Sequence, residues 1–190
     1  NGLLINYFAG TWSLPLPVSL AGGNYNVTAT LRDAAGNSIS DATTSELIID
    51  LTAPAVAIAS ITNDTGSNST DLITSDTTLI FSGTAESGSS VTVTLKNASD
   101  STIFTSNLTA TGGVWSVDRT GATALANGNY TLSATSTDAA GNSSTATQAI
   151  TIDTVAPIIT GPSGGSGAAS SSLSVVENGT AVTTFTANKS

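Results

Sequence analysis

The chain has 190 residues, of which only 9% are charged; 13 acids oppose 4 bases, and the formal net charge is −9. The bases (Arg32, Lys96, Arg119 and Lys189) are scattered, so no basic patch exists to grip phosphate, and neither nucleic acid nor an anionic membrane is expected as a partner. The absence of Cys, His and Met excludes disulfides, thiolate chemistry, Cys/His zinc sites and Ser-His-Asp triads, so no enzyme is expected.

Apolar runs are too short for a membrane span, and no signal-peptide pattern opens the sequence. The chain begins in mid-pattern, and a segment of something longer is expected. Thr, Ser, Val, Ile, Gly and Asn dominate, without helical stripes. Period-two alternation marks half-buried antiparallel strands between Gly/Asn/Asp/Ser turns. The class expected is all-β.

In chain order, YNVTATL (25–31), the loop DAAGN (33–37) and LIID (47–50) come first, followed by the linker LTAP (51–54). Proline removes a ladder donor, so the linker stops one strand and sets the start of the next. Seven strands then follow, lettered A to G in the immunoglobulin manner: 55–61, 77–84, 90–97, 102–109, 114–119, 129–137 and 145–153. An acid-rich stretch, TNDTGSNSTDLITSDT (62–77), lies between A and B; TAESG (84–88) lies between B and C; a second DAAGN (138–142) joins F to G. Beyond the linker ITIDTVAP (150–157) come a strand-like PIIT (157–160), a Gly/Ser-rich stretch, and a further alternating run.

The halves repeat. Trp12 and Trp115 are 103 residues apart, as are Asp50 and Asp153; Tyr25 and Tyr130 are 105 apart, as are Asp33 and Asp138. A period of about a hundred residues is the size of an immunoglobulin-like sandwich. The phase gives three units: 1–51 as the C-terminal half of one domain, 52–155 as a complete domain, and 156–190 as the N-terminal part of a third. Tandem immunoglobulin-like β-sandwiches are therefore expected, with Trp12, Trp115, Tyr25 and Tyr130 packing in or near the cores.

GTWS (10–13), GVWS (113–116), LANGNYTLSATSTDAAGNSS (125–144) and ITIDTVAP (150–157) resemble the bacterial Ig-like repeats of giant RTX-type secreted adhesins, over residues 1–157. SSLSVVENGTAVTTFTA (171–187) is similar to the opening of a cadherin-like repeat, although Asn188 and Lys189 stand where that family often has an acid. The resemblance implies a calcium-stiffened stalk, secreted or at the bacterial cell surface, serving cell adhesion and biofilm formation. It also implies calcium ligation by Asp33 and Asp138 of the DAAGN loops and by Glu177.

Sandwich topology adds a second set of expectations. Strand G ends at the bottom of one domain, where the B–C and F–G loops of the next lie. Asp50 should thus approach Glu86 and Asp138, and three converging carboxylates suit a hard cation that takes oxygen ligands. Asp153 should likewise lie near the A–B stretch with Asp64, Asp71 and Asp76, among which the sequence does not choose. Against these stands a plain turn, since Asp and Asn cap turns and Gly supplies positive φ. The partners expected are neighbouring domains of the same chain or adjacent protomers. An alternative function is a filament subunit assembled by strand complementation between chains; a carbohydrate- or ice-binding module is a weaker one.

Overall fold

The structure is a computed structural model describing residues 6–8, 11–13, 15–16, 18–41, 44–156, 158–160 and 186–188. It is all-β. Between Pro54 and Ile152 two sheets face each other. One has the order β12-β9-β7, from Val114–Asp118, Ile80–Ala85 and Val56–Ile61. The other runs β11-β10-β13-β14-β8, from Thr102–Thr109, Ser90–Asn97, Gly128–Thr137, Ser143–Ile152 and Ile73–Thr74.

Alternation builds the core. Val91, Val93 and Leu95 of β10 point inward, as do Tyr130, Leu132 and Ala134 of β13; Phe81 of β9 and Trp115 of β12 meet them from the other sheet. Fully burying each large apolar side chain stabilises the fold by about 1.5–3 kcal/mol. Trp115 lies over Gly83, whose absent Cβ would sit 2.5 Å from the indole and 2.0 Å from the carbonyl oxygen of Ala57. The indole Nε1 donates to Ala57 O at 3.1 Å and to Thr84 O at 3.2 Å. Arg119 is the one buried charge among the described residues; its Nη2 donates to Thr123 O at 2.6 Å, and burial pushes its pKa down.

One expectation, the start of the second strand, is corrected here. The strand at 102–109 pairs with β10 and so lies in the long sheet, unlike the fourth strand of a constant-type immunoglobulin domain. The connection of Ala98–Ser101 is a tight hairpin, with Asn97 Oδ1 accepting from Ser99 N and Ser101 N at 3.0 Å each, and so short a turn keeps both strands in one sheet. The second strand starts at Ile80 rather than 77, because Asp76 Oδ1 caps Thr78 N at 2.8 Å in a turn. Before that turn, β8 pairs in parallel with the end of β14, Thr151 opposite Ile73 and Ile152 opposite Thr74.

The N-terminal part repeats the later hairpin in pieces. The strands β1 (Asn6–Phe8) and β2 (Thr11–Ser13) pair, with Trp12, placed by its backbone alone, opposite Tyr7. β3 (Gly23–Tyr25) pairs with β6 (Leu47–Ile49) as the start of β13 pairs with the end of β14; β4 (Thr30–Arg32) pairs with β5 (Ser38–Ser40) as the end of β13 pairs with the start of β14. Between Tyr25 and Thr30 lie four residues, but six lie between Ser40 and Leu47. That excess of two is why the repeat spacing drops from 105 to 103. Asn26 and Glu46 side chains fill in for the broken ladder, accepting from Ser45 N at 2.7 Å and Val27 N at 3.0 Å. Among the residues from Ser13 to Ala53 whose side chains the structure describes, none is buried. At the other end β15 (Ile158–Thr160) pairs with β16 (Thr186–Asn188), as β7 pairs with β9.

Candidate functional site

The segment from Asp50 to Ala55 is docked on the upper end of the sandwich, and each contact starts from a simple side-chain preference. Asp50 Oδ1 accepts from Thr52 N at 3.0 Å, an Asx turn that stops the preceding strand. The Asp50 carbonyl accepts from Asn142 Nδ2 at 3.1 Å, the Pro54 carbonyl accepts from the Ser144 hydroxyl, and the Ala55 carbonyl accepts from Glu86 N at 3.1 Å. Pro54 is itself fully buried. The second DAAGN loop and the first residues of β14 thus hold the linker along its length.

Asp138 fixes the hand that does this. Its Oδ1 accepts from Ala140 N and Asn142 N, both at 2.9 Å, and its Oδ2 accepts from Asn142 Nδ2 at 2.9 Å. The Asn142 side chain, donating to the carboxylate, is the largest influence holding the Asp138 carboxyl below the ordinary aspartate range. An asparagine at 138 would turn an amide NH2 toward the NH2 of Asn142, and a serine would lack the second oxygen. The aspartate is therefore required by the turn itself, more strictly than turn propensity suggests. Asp33 repeats the arrangement, accepting from Asn37 N at 2.8 Å and Asn37 Nδ2 at 2.7 Å, with the same lowering of its carboxyl pKa.

The lower end carries the acid-rich loop. Asp76 takes Thr78 N and, through Oδ2, Asn63 Nδ2 at 2.9 Å; the Thr78 backbone bond leads the influences that depress its pKa. Asp64 Oδ2 accepts from Leu72 N at 3.0 Å, while its Oδ1 is buried without a hydrogen-bond partner. Asp71 and Asp153 line one open cleft of about 460 Å³, together with Thr65, Ser67 and Ser75. Asp153 Oδ1 accepts from Val155 N at 3.1 Å, the same turn that Asp50 makes, and its backbone N donates to Thr74 O at 2.9 Å.

The expected residues thus fall into separate groups. Asp50 and Asp138 are joined through Asn142, with Glu86 close by through its backbone; Asp153 and Asp71 share a cleft, while Asp64 and Asp76 brace the loop beside it. Among the described residues no three acids gather to hold a metal ion. Glu177 lies outside the described residues.

The pattern of bacterial Ig-like domains matches residues 50–154, more than half of the chain. The chain belongs to the bacterial Ig-like domain family. No curated protein matches it. Among solved structures it is similar to a tetra-tandem repeat from the extending region of a large adhesion protein, at 25% identity and a TM-score of 0.44, over 74% of this chain and 34% of that one. It is also similar to a Ca2+-stabilised adhesin that helps an Antarctic bacterium reach out and bind ice, at 29% identity and a TM-score of 0.32, over 65% of this chain and 30% of that one. The chain therefore spans about a third of the length of the structures it matches.

The Ig-like unit carries the corner expected of its architecture. Tyr130 OH donates to Ala126 O at 2.9 Å, and Tyr25 OH donates to Ala21 O at the same distance. Sequence reasoning assigned Asn142 only to turn chemistry and missed its grip on the linker, although its recurrence as Asn37 was a signal. Ser144 and Asn127, whose Oδ1 accepts from Thr154 N at 3.0 Å, gave none: Ile39 and Gly22 stand at their places in the first copy.

Proposed function

We propose that the chain is an extender segment of a large bacterial surface adhesin, a stalk of Ig-like sandwiches in series that holds a distant binding part away from the cell. The observation that carries this reading is the Asn142 amide, which donates at once to Asp138 of its own loop and to the carbonyl of Asp50 in the linker. A tether between independent domains needs no such grip; a rod does. The chain performs no reaction in this reading, and its partners are the neighbouring repeats.

Calcium completes the junction in this proposal. The lower cleft supports it by its chemistry, since Asp71 and Asp153 line it together with the hydroxyls of Thr65, Ser67 and Ser75, and hard cations take oxygen ligands. The upper acids Asp50, Glu86 and Asp138 would contribute once the cleft of one repeat abuts the loops of the next. An affinity on the order of 10⁻⁴–10⁻³ M suits an extracellular module.

Small-angle scattering on two complete repeats in tandem tests the reading. Maximum dimension should rise when calcium replaces chelator, and Asp50→Ala should abolish that rise. Asn142→Ala should shorten the particle even in chelator. A wild-type tandem that neither responds to calcium nor shortens without Asn142 would be a flexible string, and the stalk reading would fail.

A further inference from the structure

The long sheet of the Ig-like unit ends in β11, whose outer edge pairs with no described strand. Edge strands of stable monomers are commonly guarded by charge, proline, a bulge or brevity. The other edges here have such guards. β12 ends in Asp118, β7 carries a register shift between Ile58 and Ser60, and β8 is two residues long. β11 is eight residues of TIFTSNLT, with no charge and no proline; its one register shift against β10 leaves out Ile103, near its start, and the pairing is regular over the six residues from Phe104 to Thr109.

We infer that β11 is a pairing edge whose occupant is β11 of a second copy of this chain, antiparallel about a two-fold axis at Ser106. The strand is self-complementary in that register. Ser106 then faces Ser106, Thr105 faces Asn107, and Phe104 faces Leu108. Thr105 and Asn107 are exposed, whereas Phe104 and Leu108 are half-buried and packed against the core. At the centre of the seam the outer face therefore stays polar, with Ile103 opposite Thr109 only at its ends, and the inner row sets Phe104 against Leu108 on either side of the Ser106 pair. A slip of one residue would set Phe104 against Asn107 and lose both matches.

Charge selects the same flank. Although the chain carries −9, the acids of this unit sit at its two ends: Glu86 and Asp138 above, and Asp64, Asp71, Asp76, Asp118 and Asp153 below. The remaining one, Asp100, lies in the hairpin turn and is paired with Lys96 at 3.0 Å. A second copy approaching β11 from the side meets hydroxyls and amides, with no row of like charges. The inference goes beyond the stalk reading, since it concerns contact between chains and holds whether or not calcium binds.

The chain has no cysteine, so Ser106→Cys introduces a single thiol at the two-fold. Directly opposed residues of an antiparallel pair lie about 4.5–5.5 Å apart between Cα atoms, within the span of a disulfide. Under mild oxidation S106C should link into covalent pairs, and Thr147→Cys, exposed on the outer face of β14, should not. In sedimentation velocity the wild-type chain should shift from one chain toward two as concentration rises. Thr105→Lys with Asn107→Lys should remove that shift. Thr105→Lys alone, which keeps the hydrogen bond from Thr92 Oγ1 to Asn107 Oδ1 at 2.7 Å, serves as the variant safest for folding and should weaken it. A wild-type chain that stays single at every concentration overturns the inference, as does S106C linking no faster than T147C. Undiminished association of the lysine variants overturns it too, and assigns the contact to another surface such as the exposed Leu31–Ile39 hairpin.

Discussion

The two copies of the F–G hairpin differ in what surrounds them, and the comparison separates local from long-range causes. Both make the tyrosine corner at 2.9 Å, both close DAAGN with a carboxylate gripping an asparagine, and their loop glycines take nearly the same left-handed backbone, φ 89° at Gly36 and 92° at Gly141. Burial differs. Leu31 and Ile39 are each 70% exposed, whereas Ser136 and Ser144, at the same places in the second copy, are buried and half-buried. Ser136 donates to Ser89 Oγ at 2.7 Å and Ser144 to the linker. Turn and corner are thus written within about twenty residues, while the core is written by β7, β9 and β10, which have no counterpart beside the first copy among the described residues.

The broadest test of that division is to separate the copies. Residues 53–155 expressed alone should give a cooperative β-sheet monomer, and residues 1–51 alone should be disordered, because isolated hairpins cannot offset chain entropy. Well-dispersed amide spectra from 1–51 would break the comparison.

Gly83→Ala should come next in size. The new methyl meets the Ala57 carbonyl and the Trp115 ring, neither of them a flexible side-chain end, and overpacking of this kind costs about 1–3 kcal/mol or more. Denaturant unfolding of the chain should show that loss, and a midpoint unchanged from wild type would mean that the sheets can spread. Leu31→Ala, by contrast, should stay within about 0.5 kcal/mol, as exposed substitutions do.

Subtler is the response of the two aspartates. Asp33 and Asp138 have folded pKa values below the ordinary one, so their contribution to the closed loop is present above the unfolded value, about 3.9, and is lost as pH falls through the folded value. Amide protection of Asn37 and Asn142 should therefore be level from neutral pH to the edge of the carboxylate range and then decline. Asp138→Asn should abolish that decline at Asn142 by lowering its protection at every pH, leaving Asn37 unchanged. Equal protection of Asn142 in the variant would show that the carboxylate is not what orients it. The smallest effect expected is that of Lys96→Ala: its partner Asp100 is 83% exposed, and such a pair contributes about 0–1 kcal/mol, to be read from the same unfolding curves.

Most strands were legible because alternation is a local signal: β10 and β11 begin and end where the pattern does, and β7, β12, β13 and β14 agree to within two residues. β8 was not legible, since two residues cannot display a period and its place depends on bonds to the preceding loop, from Thr74 Oγ1 to Asn63 O at 2.6 Å and from Leu72 N to Asp64 Oδ2 at 3.0 Å. The partner of β11 was not legible either, because strand order follows from turn length and packing, which lettering by analogy does not capture. The acids were visible as a set, yet their grouping depends on which backbone amide each one caps. Asp71 follows Asp64 by seven residues and Asp76 follows Asp71 by five, yet they turn instead to Ile73 and Thr78.

The parallel pairing of β8 with β14 has a mechanical consequence. The chain enters the sandwich above, at Pro54, and leaves it below, at Asp153, so a pull on the ends runs along β7 and β14. Thr151 and Ile152 are bonded sideways to Ile73 and Thr74, and Asp153 N to the Thr74 carbonyl. Tension along β14 loads these bonds together in shear instead of opening them one by one, and the side-chain bonds from Asn142 and Ser144 to the linker are loaded at the opposite pole. Single-molecule extension should accordingly find Ser144→Ala yielding at lower force than wild type along the end-to-end axis.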